Sequence, residues 1–529
     1  MSAVSSAVAA SPARRANPYA AVAAALTGCF LASYHTRLIG IGLPDLRGGF
    51  GLSVDEASWL ATVANAPQIL TAPAVPWLVM VFGIRPILLW PGLVYAALVA
   101  VIPLSRDPAT LLGLHAATGL LLGLFVPATL LVIVRNLRPA LWLPAFAVYS
   151  FRLAFTLNTG PAMTGYFVQS VGWEWLYWLD VPIALLMVLL AWLGSTWQPP
   201  DRDLLHNADW GGMLLFGLGL MFVYVGLDQG NRLDWHSSGT VVALLLGGGA
   251  LMAGFLLQEV VAPQPWASPK ILCTRNTMIG IGAGIIFSFC AVSNSLLVPN
   301  FLISVAQLRP EQFGSFLLLW IALPLIATVG LGVALLRRTD FRIVMMMGFS
   351  GFASASLWAT QLTHAWRMQD FIPVAVLQSI GLGVTFTAVM VGNFTSVRPE
   401  AGAAFGAYIQ ILRLVAVEFG GAAMATLLRV REQVHSNLLG LHVNRGGSHV
   451  IQSIAERTAV FLPDDGVLAR GRALTSLAGS VQREANVLAF IDGFTLTFIV
   501  ALLGILAAAA MRPAPPHPLL DHYPSLGSA

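Results

Sequence analysis

Charge is the first thing this sequence lacks. Only 10% of its 529 residues are Asp, Glu, Lys or Arg, against about 25% in an ordinary soluble domain. Hydrophobic residues make up 57%, which excludes a soluble protein built round one large core. Lysine is almost absent: Lys270 is the only one, and Ser268-Pro269 precede it, so the chain has no GxxxxGK[ST] loop and no P-loop ATP pump of its own. Cysteine is equally sparse. Cys29, Cys273 and Cys290 show neither disulfide nor zinc spacing, so no metal or cofactor is expected. The net charge of +4 is spread thinly, and no Lys/Arg stripe points to nucleic acid. Asp/His/Ser groupings with nucleophilic spacing are missing from the polar segments, which argues against an enzyme.

What is present is a long series of apolar runs. A window of about 19 residues marks segments near 20–43, 55–80, 86–104, 109–133, 142–168, 175–196, 210–228, 239–259, 277–304, 312–336, 342–362, 370–394, 402–427 and 488–511. Each is long enough for the ~30 Å hydrocarbon core, so the chain reads as an all-α integral membrane protein of about fourteen helices. The positive-inside rule places Arg14, Arg15, Arg85, Arg135, Arg138, Arg202, Lys270, Arg275, Arg337, Arg338, Arg342, Arg398 and Arg512 on one side, and only Arg47, Arg106, Arg232, Arg309 and Arg367 in the short loops opposite. Both termini, residues 1–19 and 512–529, are then cytoplasmic tails. Leu26-Thr27-Gly28-Cys29 matches a lipoprotein cleavage box, but the apolar run continues past Cys29, unlike a cleavable signal. Residues 428–487 form a long mixed-charge outer segment whose stretches SHVIQSIAERTAVFL and Leu474 to Ala489 read as short amphipathic helices lying on the membrane surface. It is either a spacer or a partner-binding surface.

Two Arg-bearing turns, Phe82-Gly83-Ile84-Arg85-Pro86-Ile87 and Thr339-Asp340-Phe341-Arg342-Ile343-Val344, repeat eight spans apart. Duplicated halves round a central site are common in secondary transporters, and eight spans rather than six leaves room for a two-helix insert. Several motifs then carry a resemblance. Thr159-Gly160-Pro161-Ala162-Met163-Thr164-Gly165 looks like a GPxxGG antiporter motif. Trp173-Glu174-Trp175-Leu176-Tyr177-Trp178-Leu179-Asp180-Val181-Pro182 looks like W-R-W-x-F-x-x-N-x-P at the start of the sixth span. Leu227-Asp228-Gln229-Gly230 looks like the loop between two inserted helices, and Ser268-Pro269-Lys270-Ile271-Leu272 like the approach to a second half. In their order and spacing these resemble the major facilitator superfamily, in particular its fourteen-span drug:proton antiporters of the EmrB type. The resemblance implies a six-helix half over 20–200, a two-helix insert over 201–262 and a second six-helix half over 263–511.

The departures fall on polar landmarks. With Gly42-Leu43-Pro44 matching the end of a D-x-T-x-x-x-x-A-L-P first span, His35 stands where that family keeps an intramembrane aspartate, and Arg37 where it keeps a threonine. Of the loop motif G-x-L-x-D-R-x-G only Gly83 and Arg85 remain, and His115-Ala116-Ala117-Thr118-Gly119 replaces R-x-x-Q-G in the fourth span.

Few ionisable groups lie deep in a span. His35 and Arg37 are about 200° apart on a helix and cannot share a face. The resemblance turns His35 to the cavity, and Arg37, about two helical turns from Pro44, is expected to snorkel to the outer surface. His35 and His115 are each either proton carriers, since histidine titrates near working pH, or neutral hydrogen-bonded fillers. Arg152 and Arg413 cannot shed their charge and need a carboxylate, carbonyls or an anionic substrate. Glu418 reads as the one deep carboxylate, either a coupling acid or half of a structural ion pair. Asn158, Asn294, Gln378 and Gln410 are cavity lining or interhelical glue. Gly160, Pro161 and Gly165 form the gating stretch that in the resembled family packs against the other half. The expected function is proton-coupled export of amphipathic or anionic organic compounds across a bacterial inner membrane, with a periplasmic adaptor and outer-membrane channel as further partners. An uptake porter of the same fold, or a sensor or scaffold that no longer transports, is the alternative.

Overall fold

The computed structural model describes residues 17–206, 208–262, 265–396, 402–443, 447–462 and 468–513, and among them every regular element is helical. The first rod, α1 (Pro18–Phe50), starts where the Asn17 side chain accepts from the Tyr19 and Ala20 amides, with Pro18 supplying a helical φ at the first position. A capping box of Ser53 and Glu56 opens α2, which runs over Val54–Thr71, bends through a tight turn at Ala72–Ala74 where Pro73 removes a backbone donor, and continues as Val75–Phe82. Gly83, at φ +78°, makes the sharp turn into α3 (Ile84–Leu104) in a conformation that a side chain resists. There follow α4 (Pro108–Asn136), α5 (Pro139–Val171), α6 (Trp175–Gly194), α7 (Trp210–Gly230), α8 (Gly239–Val261), α9 (Arg275–Ser304), α10 (Pro310–Leu336), α11 (Phe341–Ala359), α12 (Met368–Ser396), α13 (Ala404–His442) and α14 (Ala469–Ala510).

Twelve of these have the length and hydropathy of a spanning helix, against the fourteen expected. The two that fall short are α1 and α2, for physical reasons visible in their residues. His35 and Arg37 lower the hydropathy of α1, and Asp55, Glu56, Asn65 and Gln68 lower that of α2. Both nonetheless pack inside the bundle, α1 against α5 and α6, α2 against α4.

The rods form two clusters. The first joins α1 to α6. In the second α11 and α12 pack together and both α9 and α11 lie against α14. Between the clusters α5 packs along α10 and α12. The pair α7–α8 is tightly joined, and α7 lies against α2 of the first cluster and α13 of the second.

The segment over 428–487 departs in part from expectation. The short helix expected at SHVIQSIAERTAVFL is present as Ser448–Phe461, but the second is not separate: α13 and α14 extend through the rest of the segment, and α14 with its 42 residues is about 63 Å long, twice what the hydrocarbon core requires. The stretch from Leu474 to Ala489 is part of that rod. A helix at Ser448–Phe461 packs against it, tied by Arg457, which donates to Ser476 Oγ at 2.6 Å and Ser480 Oγ at 3.0 Å. Asp492 on α14 accepts from Arg431 Nε at 2.5 Å and meets His435 Nε2 at 2.7 Å, which fixes α13 to α14 near the base of this extension.

Candidate functional site

Between the clusters lies a cavity of about 240 Å³. Its walls come from α1 (Ser33, Thr36, Arg37), α2 (Asn65, Gln68), α5 (Arg152, Leu153, Thr156), α7 (Tyr224, Asp228) and α13 (Arg413, Val417, Glu418). A small apolar annex adjoins it at Arg37, Leu153 and Val417, and is walled by Phe287, Val292 and Leu382. Contacts between the two clusters occur on the α5–α10 seam and again where Phe146 of α5 stacks on Phe394 of α12 at 4.8 Å.

The charges in this cavity do not cancel by contact. Arg152 is 1% exposed. Its Nη1 donates to Ser33 Oγ at 2.5 Å and to the Cys29 carbonyl at 3.4 Å, and its guanidinium lies 4.6 Å over the Tyr149 ring. Its Nε and Nη2 have no partner among the described residues. Arg413 sits in a π-turn, Ile411–Val415, where Gln410 Oε1 accepts from its Nε at 3.0 Å and its Nη2 is likewise unpartnered. A cation out of bulk water with open N–H groups is costly unless an anion or acceptor meets it. Glu418 faces Arg37 and the Tyr224 hydroxyl across the same space. Asp228 accepts from Thr62 and, at 3.0 Å, from Gln229 Nε2.

The first helix turns the opposite way from the expectation. Arg37 lines the cavity and does not snorkel outward, and His35 faces into the first cluster. The 200° between them allows only one to face the cavity, and His35 is held by a partner on another helix. Its Nδ1 lies 2.6 Å from Asp180 Oδ2, with the two side chains 1% and 0% exposed. Tyr95 donates to the same oxygen at 2.7 Å. His115 stands nearby, its Nδ1 2.9 Å from the Leu111 carbonyl and its Nε2 3.0 Å from the Tyr177 hydroxyl. Glu418 is therefore not the one deep carboxylate: Asp180 is buried in α6, and Asp228 belongs to the last turn of α7 and not to a loop. Asp180 was hidden because it lies only five residues into its apolar run. The signal that points to it is an aspartate where the resembled motif has asparagine.

The remaining candidates scatter. Asn158 Nδ2 donates to the Ala154 carbonyl at 2.7 Å and Gln378 Nε2 to Ser293 Oγ at 2.8 Å, and neither reaches the cavity wall. Gln410 supports Arg413, and the side chain of Asn294 lies outside the described residues. Gly160 and Pro161 lie on α5 where it meets Ile41 of α1 and Gly314 of α10, and a Cβ on Gly165 would come within 3.1 Å of Glu311. Gly83 backs onto Gln198, and Arg85 lies with Trp90, Trp192 and Trp197 at the far side of α3. Among the described residues no cluster suited to a metal occurs.

Comparison with known proteins places this arrangement. The family model of the Major Facilitator Superfamily matches residues 25–420, and the chain belongs to that superfamily as a multi-pass membrane transporter. It is 21% identical over 426 residues to the multidrug export protein EmrB of Haemophilus influenzae, covering 78% of this chain and 81% of that one. It is 19% identical over 484 residues to the fatty acid resistance protein FarB of Neisseria gonorrhoeae, covering 89% and 92%. In fold it is similar to the human organic anion transporter MFSD10, with a TM-score of 0.53 at 12% identity over 92% of this chain and all of that one.

Proposed function

We propose that this protein is a proton-coupled exporter of amphipathic organic compounds that carry an anionic group. The observation that carries the reading is the pair of cavity arginines, Arg152 and Arg413, with unpartnered donors beside an apolar annex. A carboxylate or similar anion satisfies those donors in a medium where charge-assisted bonds are strong, while the annex takes an apolar portion. The names of the relatives, a multidrug exporter and a fatty acid resistance protein, support export and an acidic cargo. His35 with Asp180, His115 and Glu418 are the groups assigned to proton coupling, and the packed stretch at Gly160, Pro161 and Gly165 is the outer gate. The protein resides in a bacterial inner membrane with both termini cytoplasmic, and the helical extension of α13, Ser448–Phe461 and α14 offers the surface to a periplasmic adaptor and, through it, an outer-membrane channel.

Transport into proteoliposomes under an imposed pH gradient tests this. Organic acids with an apolar tail should move or compete. Transport of cationic dyes unaffected by organic acids overturns the assignment. His35→Ala should abolish gradient-driven transport and leave substrate binding in place. Unchanged transport moves the coupling to Glu418.

A further inference from the structure

The inserted helix α7 is part of the cavity and not an appendage. It turns Tyr224 and Asp228 into the charged space, and just beyond them its end is bonded to both clusters. Gln229 pairs with Ser58 on α2, Asn231 Nδ2 donates to the Ala422 carbonyl on α13 at 3.1 Å, and Thr426 donates back to Asn231 Oδ1 at 2.9 Å.

The charges sort into two ends. Arg152, bound at Ser33, and Arg413 form one; Arg37, Glu418 and Asp228 form the other. Ser33 and Arg37 are four residues apart on α1, and Arg413 and Glu418 five apart on α13, so the ends are about 6–8 Å apart along the bundle. At the first end there are two cations, with no carboxylate in ion-pair contact among the described residues. At the second, neither Glu418 nor Asp228 has a basic side chain in ion-pair contact among the described residues; Arg37 acts on Glu418 across the cavity, and the cation acting on Asp228 is Arg232. Arg232, one turn further, is committed to Asp55 at 2.6 Å and Gln229 Oε1 at 2.6 Å. Both hydrogen bonds that Asp228 accepts go to Oδ2. The carboxylate left to a ligand is thus the one supplied by the insert.

We propose that α7 is a substrate-binding helix, and that Asp228 takes the cationic end of a zwitterionic substrate whose anionic end lies on Arg152 and Arg413. The chemical class is the ω-amino carboxylate and its larger amphipathic analogues. This rests on the reading of the arginines as an anion site. Binding of 6-aminohexanoate, hexanoate and hexylammonium to the full-length protein in lipid nanodiscs, measured by calorimetry and by the ligand-induced shift in unfolding temperature, tests it. 6-Aminohexanoate should bind about tenfold more tightly than either single-charge compound, the worth of one added charge-assisted contact. Asp228→Asn should bring its preference over hexanoate to parity, and Asp228→Glu should keep it. Equal binding of 6-aminohexanoate and hexanoate to the native protein, or a preference that survives Asp228→Asn, overturns the proposal while leaving the anion site standing. Failure of both carboxylates to bind, or binding unaffected by Arg152→Gln, overturns the anion site and this proposal together. The comparison of the three ligands on the native protein decides the matter even where Asp228→Asn fails to fold.

Discussion

His35 and Arg37 show how much two positions on one helix can differ. One is sealed against Asp180 and Tyr95, the other opens onto the central cavity, and the angle between them makes this an exclusive choice. The His35–Asp180 pair also has a clear energetic consequence. Removing one partner of a buried pair strands the other, which costs about 3–5 kcal/mol, whereas replacing both with apolar side chains costs far less. Asp180→Ala should therefore lower stability by about that amount. The double variant His35→Leu/Asp180→Leu should recover most of it, as measured by thermal unfolding of the purified protein. Equal losses in the single and double variants would show that the pair is not a unit.

At the scale of elements, close approach between helices matters as much as their polar groups. Gly123 on α4 faces the backbone of α2, where a Cβ would stand 2.5 Å from the Gln68 carbonyl oxygen, a contact that moving a side chain cannot relieve. Gly123→Ala should force α2 from α4 at a cost of about 1–3 kcal/mol and disturb Gln68 and Asn65 on the cavity wall. Reduced unfolding temperature together with weakened ligand binding is the expected outcome, and unaltered values of both would mean that α2 yields freely. Irregular turns also cluster on the rods that form the seam and the cavity. Single π-turns end α5 and interrupt α9, α10 and α13, and Arg413 occupies the one in α13. Such turns displace the helical register by one residue and are frequent at functional sites. A sequence pattern of apolar residues carries no trace of them.

For the whole molecule, alternating exposure of the cavity requires the two clusters to separate along the α5–α10 seam. Gly165 and Glu311 approach closely enough for a cross-link, because a Cβ on Gly165 would lie 3.1 Å from Glu311 Cβ. Gly165→Cys/Glu311→Cys should form a disulfide on oxidation, block transport, and regain activity on reduction. Full transport by the oxidised, cross-linked protein would show that this seam does not open.

The sequence by itself determined the membrane class, the approximate places of the rods and the family, because these rest on local quantities: the length of apolar runs, the distribution of Arg between loops and short motifs at fixed spacing. It also singled out Arg152, Arg413 and Glu418, since an ionisable group deep in a span stands out against its neighbours. Tertiary structure alone decided which groups meet. The partnership of His35 with Asp180 joins helices separated by 145 positions, and the placing of Asp228 in the cavity depends on α7 packing between α2 and α13. Both are set by helix rotation and long-range packing, on which hydropathy is silent. The same holds for the length of α14, whose polar first half reads as a separate short amphipathic helix but continues unbroken into the span, packed against Ser448–Phe461 and α13.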